Sequence, residues 1–159
     1  MNPVVVDENV LWVADGRDNS ANSACVDAAL DRLALVKAEE QLIIDSRDLI
    51  LDQYAAAVDH VPPYKPAREF LLWLYENRGG ERVFEVDVQP TDDDSFVEFP
   101  DDDPLANFDH DDRKWVAVAI ASGLNPPIVS ATDSDYVEFE TALKRHVRLE
   151  ILCRTSAIP

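Results

Sequence analysis

Aspartate is the residue whose placement in this chain most invites a chemical reading. Asp7 ends the apolar run Val4-Val5-Val6, and Asp52 lies one turn beyond Asp48 on the helix expected after the second strand. Asp109, Asp111 and Asp112 stand where a long helix would open, and Asp133 and Asp135 follow the apolar run Pro127 to Ser130. Crowded carboxylates repel one another and hold their protons unless a cation neutralises them. An all-oxygen set suits hard Mg²⁺ or Mn²⁺, whereas zinc wants His or Cys. One or two such ions activate water and stabilise the charge of an in-line attack on a phosphodiester.

Each acid also has a local explanation. Asp at a strand end or helix N-terminus commonly caps backbone N–H groups. Asp45 and Asp48 read first as caps, and Asp109, Asp111 or Asp112 taken singly do so too. Asp27 and Asp31 belong to the solvent side of a helix, and the runs Asp92 to Asp94 and Asp101 to Asp103 to a solvated loop. Those runs lack the glycine and terminal glutamate of a calcium-binding EF-hand. Asp7 is harder to dismiss, because a carboxylate after three valines ends in or beside the core and needs a partner.

The elements that must position these acids alternate along the chain. Val4 to Asp7, Leu42 to Ile44 and Pro127 to Ser130 read as fully buried strands, Arg82 to Gln89 as a half-exposed strand, and Arg148 to Leu152 as a last strand. Helices are expected over Cys25 to Lys37, with Ser23 as a candidate cap, from about Asp48 to Val58, over Ala67 to Asn77, Asp109 to Gly123, and Ser134 to His146. Short apolar strands alternating with helices argue for an α/β fold, a mainly parallel sheet covered on both faces. In such sheets sites form at the carboxyl ends of the strands, where this chain puts its acids. No repeat or linker divides residues 1–159, so one domain is expected.

Charge narrows the classes. Fourteen Lys and Arg against 32 Asp and Glu leave a formal charge of -18, with no broad basic footprint for a nucleic acid. Three readings remain open for that charge: an acidic surface as such, a face for a basic partner, and carboxylates gathered to hold cations. Two cysteines far apart, Cys25 and Cys153, read as reduced core thiols. The N-terminus has no signal-peptide pattern and no run is apolar enough to cross a membrane, so a cytoplasmic protein is expected. Four glycines leave no phosphate-cradling loop of the dinucleotide-binding kind, and Asp7-Glu8-Asn9 lacks the second aspartate of a haloacid-dehalogenase-like hydrolase.

Four blocks together resemble the PIN domain family, along nearly the whole chain. Val4 to Val10 is similar to its opening strand with Asp-x-Asn-Val, and Ile43 to Tyr54 to its second strand and helix. Phe108 to Ala119 looks like the helix carrying the third acid, and Pro127 to Tyr136 like the closing strand and acid. Phe108-Asp109, Asp112-Arg113-Lys114 and the terminal Leu152-Cys153 look more narrowly like a bacterial PIN-like branch. The resemblance implies a three-layer α/β/α sandwich and an Mg²⁺- or Mn²⁺-dependent endoribonuclease, often a toxin held by an antitoxin. It implies Asp7, Asp52, Asp112 and Asp133 as the catalytic, metal-binding set, with Asp109 as an alternative third ligand and Asp135 as a helper. Asp52 departs from the pattern, since the family has Glu there. A homodimer is implied by the same analogy.

Arg113, Lys114, Lys144, Arg145 and Arg148 are the candidates for contact with RNA phosphate, against the competing reading of salt bridges to this chain's many acids. Phe108, Trp115 and Tyr136 read as packing around the site. The alternative to a nuclease is a PIN-fold binding module whose acidic surface docks a basic protein.

Overall fold

The computed structural model describes residues 1–154. The chain runs β1 (Pro3–Val6), α1 (Asn9–Ala14), α2 (Ser23–Glu39), β2 (Gln41–Asp45), α3 (Leu49–Ala57), α4 (Pro66–Asn77) and β3 (Val83–Val86). After a long loop come α5 (Arg113–Ser122), β4 (Pro127–Ser130), α6 (Ser134–Glu138), α7 (Glu140–Leu143) and β5 (Arg148–Ile151). The five strands form one parallel sheet in the order β3-β2-β1-β4-β5. Helices cover its faces in a three-layer α/β/α sandwich, as expected.

Why the central strands read as unbroken apolar runs is now plain. Val4 to Val6, Leu42 to Ile44 and Ile128 to Val129 are all fully buried, since helices lie over both sides of each. The edge strands β3 and β5 keep exposed positions instead. The chain winds outward from β1 to β2 and β3, then crosses back to place β4 on the other side of β1. Between the carboxyl ends of β1 and β4 the winding reverses, which opens a crevice. Asp7 N–H donates to the Val129 carbonyl at 2.9 Å and pins the two strands at that point.

Several expectations change. A six-residue helix, α1, follows Asp7 directly, where no element was expected. Val10, Leu11, Val13 and Ala14 bury against the core, and that tertiary burial offsets the weak helix propensity of two valines. Asn22, not Ser23, caps α2, its side chain accepting from Cys25 N–H at 2.8 Å. The helix expected from Asp109 starts as a 3₁₀ turn over His110–Asp112, and the one expected from Ser134 breaks at Phe139 into α6 and α7. Cys25 and Cys153 are joined in a disulfide, so the reduced-thiol expectation is overturned. Folding brings the first turn of α2 against the segment after β5, a juxtaposition invisible across 128 residues of sequence. Among the described residues no helix is long and apolar enough to cross a membrane.

Of Asp45 and Asp48, both expected as caps, only Asp45 behaves as one. Its fully buried carboxylate accepts from the N–H groups of Arg47, Leu49 and Ile50 at 2.9, 3.0 and 2.8 Å. Asp48 instead takes a left-handed backbone (φ 64°) and gives its side chain to Arg78 at 2.6 Å. Asp45→Ala would strand three donors at the start of α3. We expect it to lower unfolding free energy by about 2–3 kcal/mol, measured by urea titration. A loss near zero would show that water replaces the carboxylate there.

Candidate metal centre

Three elements deliver one carboxylate each to the crevice. Asp7 leaves β1, Asp133 follows β4, and Asp112 stands at the N-terminus of α5, which packs across β1, β2 and β4. An oxygen from each lies within 4.8 Å of the others, so the trio could hold a metal ion. A second group with the same spacing comprises Asp109, Asp112 and Asp135, and Asp112 belongs to both. The fit to a hard cation rests on the donors: all are carboxylate oxygens, and neither group includes His or Cys.

Three of these acids have one oxygen tied to a nearby backbone N–H. Asp7 Oδ1 accepts from Asn9 N–H, Asp133 Oδ1 from Asp135 N–H and Asp109 Oδ1 from Asp111 N–H, each at 3.0 Å. Asp7 Oδ2 is buried and receives no hydrogen bond of good geometry; the buried Tyr136 hydroxyl stands near enough to favour its charge without completing one. An unpartnered buried carboxylate oxygen is costly unless a proton or cation meets it. Beneath the crevice lies a floor of rings: Phe108 packs at 5.8 Å from Tyr136, 5.5 Å from Phe139 and 5.9 Å from Phe99. The expectation that Phe108, Trp115 and Tyr136 pack around the site is met, all three being buried.

Those rings keep water away and shift the acids together. Burial pushes the Asp7 carboxyl up to about 7, with the charges of Asp133 and Glu8 adding to it, against the pull of the Asn9 N–H and the Tyr136 hydroxyl. Burial, then the facing charges of Asp7 and Asp133, hold Asp112 up to about 10. Asp133 is raised too, chiefly by burial. Without a cation Asp112, and in part Asp7, therefore hold protons at neutral pH, which a divalent cation would displace.

Asn9 fixes the crevice from behind. Its Oδ1 accepts from Thr132 N–H at 2.7 Å and Ala131 N–H at 3.2 Å, while its Nδ2 donates to Thr132 Oγ1 at 2.9 Å. Thr132 in turn donates to Asp18, from the loop after α1. The residue two places after Asp7 thus holds the backbone that carries Asp133. Sequence reading missed Asp18 and gave Asn9 no role; the spacing Asp-x-Asn was the available signal.

Other candidates fall elsewhere. Asp52 is exposed on α3 and belongs to neither carboxylate group. Its neighbour Gln53 faces the crevice side instead, its Nε2 donating to Glu8 at 2.6 Å and its Oε1 accepting from Lys114 at 2.9 Å. A one-residue step turns a helical side chain by about 100°, so only one of the pair can face inward. Glu8 and Gln53 went unrecognised because their pairing spans 45 residues of sequence. Arg113, expected at RNA phosphate, is buried: it donates to the Phe108 and Ala106 carbonyls and Ser95 Oγ and lies 4.5 Å over the Phe99 ring. It is a brace for the loop before α5. Lys144 and Arg145 pair with Glu140 and Asp102, and Arg148 donates to the Asn125 carbonyl, so the bridging reading holds for the first two. Lys114 donates to Gln53 and is absent from the ion pairs among the described residues.

The shifted acids carry a pH signature. Asp7 titrates near 3.8 when unfolded and about 7 when folded without metal, so between these values the folded state binds the extra proton. Metal-free stability then falls as pH rises through that window, by up to about 1.4 kcal/mol per pH unit for this carboxyl. We expect Tm without metal to drop from pH 5 to pH 8, Asp7→Asn to flatten the drop, and millimolar Mn²⁺ to restore Tm at pH 8 but hardly at pH 5. Differential scanning calorimetry with chelator decides it, and a pH profile identical in the variant would contradict the assignment of Asp7.

Comparison with protein-family models, with curated proteins and with solved structures finds no match to this chain, so the site rests on its geometry.

Proposed function

We propose that the chain is a metal-dependent phosphodiesterase of PIN type that cuts RNA, with Mg²⁺ or Mn²⁺ held by Asp7, Asp112 and Asp133. The observation that carries this reading is the buried, unpartnered Asp7 oxygen grouped with two further carboxylates at the switch point of the sheet. Asp109 and Asp135 widen the acidic rim through their shared neighbour Asp112. A cation held there supplies neutralisation of the acids and activation of a water for attack on phosphorus. The protein's own groups do the rest. Asn9 and Thr132 keep Asp133 in register, and the aromatic floor lowers the local dielectric so that each charge acts strongly.

Lys114 takes the part of the phosphate contact. Its ammonium is steadied by Gln53, itself tied to Glu8 next to Asp7, so a fixed positive charge stands at the rim of an acidic crevice. Such a charge is worth most where phosphate charge grows during reaction. The formal charge of -18 suits a basic protein partner of the antitoxin kind, which would cover the crevice. The exposure of Asp52 favours a second reading, a PIN-fold binding module that does no chemistry.

Cleavage of a fluorescent single-stranded RNA with Mn²⁺ separates these. Asp112→Asn and Asp133→Asn are each expected to lose cleavage at least about a hundredfold, and Lys114→Ala a similar factor with Mn²⁺ affinity retained. Asp52→Asn should stay within about twofold of the unchanged protein, since its side chain touches neither group. Cleavage that survives Asp112→Asn belongs to another site, and calorimetry showing no Mn²⁺ uptake at millimolar metal selects the binding module.

A further inference from the structure

Beside the carboxylates, the loop between β3 and α5 builds a cleft that the metal centre does not use. It has a volume of about 300 Å³ and lies between Leu49 at the start of α3, Pro90 and Phe96 of the loop, and His110 and Lys114. The loop is shaped for this: Pro90 and Phe96 pair as an isolated antiparallel bridge, and Asp94 makes the turn with a left-handed backbone (φ 59°). His110 Nδ1 donates to the Asp94 carbonyl at 3.1 Å and ties the loop to the turn that carries Asp112. Asp111 also lines the cleft, so the residues on both sides of Asp112 in sequence, Asp111 and Arg113, are accounted for: one opens the cleft, the other braces it from below.

The chemistry of the walls selects among the parts of a nucleotide. Phe96, half-buried, with Leu49 and Pro90, gives a flat apolar surface. The Asp94 and Asp111 carboxylates at its edge would repel a phosphate, whereas a base is neutral and has a face to stack. Carboxylates accept readily from exocyclic amino groups, whereas uracil offers a single N3–H flanked by two carbonyl oxygens that repel them. The volume is at the small end of ligand pockets, roughly 300–1,000 Å³, which suits a base and not a whole nucleotide.

We propose that this cleft is a base-specificity subsite for single-stranded RNA, in which Phe96 stacks on an amino-bearing base (cytosine, adenine or guanine) next to the scissile phosphate while Asp94 and Asp111 accept from its amino group. The proposal rests on the nuclease reading above, because Lys114, the phosphate contact in that reading, lines the cleft and is bonded to Gln53, which reaches Glu8 next to Asp7. Phe96 and Asp94 act on which strand is cut and where, and have no part in holding the cation.

The test uses uridine heptamers with one cytidine or one abasic ribose walked along the strand, cut by the whole protein in Mn²⁺. The expected result is one position, fixed relative to the cut, where cytidine exceeds the abasic residue about tenfold or more and exceeds uridine severalfold. Phe96→Leu keeps the apolar packing and should collapse the abasic penalty to within about twofold. Asp94→Asn, which the left-handed turn tolerates, should erase the cytidine preference while Tm and Mn²⁺ affinity stay put. Cleavage with a flat walk overturns the subsite and leaves the nuclease standing. If no strand is cut, anisotropy of the same strands in Ca²⁺ reads the walk: a position-dependent loss that Phe96→Leu removes keeps the subsite and drops the nuclease. A flat binding walk, or Phe96-dependent binding of an arginine-rich peptide with none of RNA, overturns the proposal.

Discussion

Three carboxylates gathered above a floor of aromatic rings cannot all be charged at once. Everything particular about this structure follows from that constraint. In water, three such groups would ionise near pH 4 and drift apart. Here the switch point of a parallel sheet fixes Asp7 and Asp133 on neighbouring strands, and α5 brings Asp112 to meet them. Phe108 and Tyr136 deny them solvent. The repulsion is relieved by shared protons or by a cation, and the donor set prefers a hard one.

Holding a repulsive arrangement in place requires a stiff surround. The central strands are buried on both faces, Asp7 N–H is bonded across to β4, and Asn9 grips the backbone of Ala131 and Thr132. The disulfide adds a covalent tie near the same place, since Cys153 N–H donates to the Ala131 carbonyl at 3.2 Å. Three separate devices thus converge on the short segment before Asp133. Buried polar groups that are fully satisfied specify one geometry; the Asp7 oxygen and the Ser130 and Tyr136 hydroxyls are left without partners.

The acidity of the whole molecule looks hostile to an RNA strand, yet the long-range field and the local site are separate matters. Most basic groups are engaged: Arg32 with Glu40 and Glu150, Arg78 with Asp48 and Glu85, Arg145 with Asp102. Arg113 is spent on carbonyls and a ring. Lys114 differs in being tethered to a neutral amide, which orients its charge without cancelling it. A surface of this kind repels phosphate at a distance and slows encounter, while a basic protein would be drawn to it.

The layered fold was legible because its causes are local and periodic: short apolar strands flanked by helical stripes permit few other arrangements. Asp7 and Asp133 were legible for a related reason, since strand ends and helix starts at a switch point must meet; among Asp109, Asp111 and Asp112 only the family resemblance favoured Asp112. The rest depended on contacts no window of sequence contains. Which face of α3 turns inward decided between Asp52 and Gln53, and that is set by how Ile50, Leu51 and Tyr54 bury, not by residue type. Arg113 and Lys114 are adjacent cations in the sequence; packing sent one under the loop and left the other at the crevice. Cys25 and Cys153 met because β5 ends beside α2. Asp15 accepts from Ala67 N–H at 2.8 Å, serving the start of a helix 52 residues away. Composition and periodicity determined the scaffold and the strand ends and helix starts where acids stand, and only the folded chain decided which of those acids meet and which neighbours each answers to, because burial and hydrogen bonding are properties of a place and not of a residue.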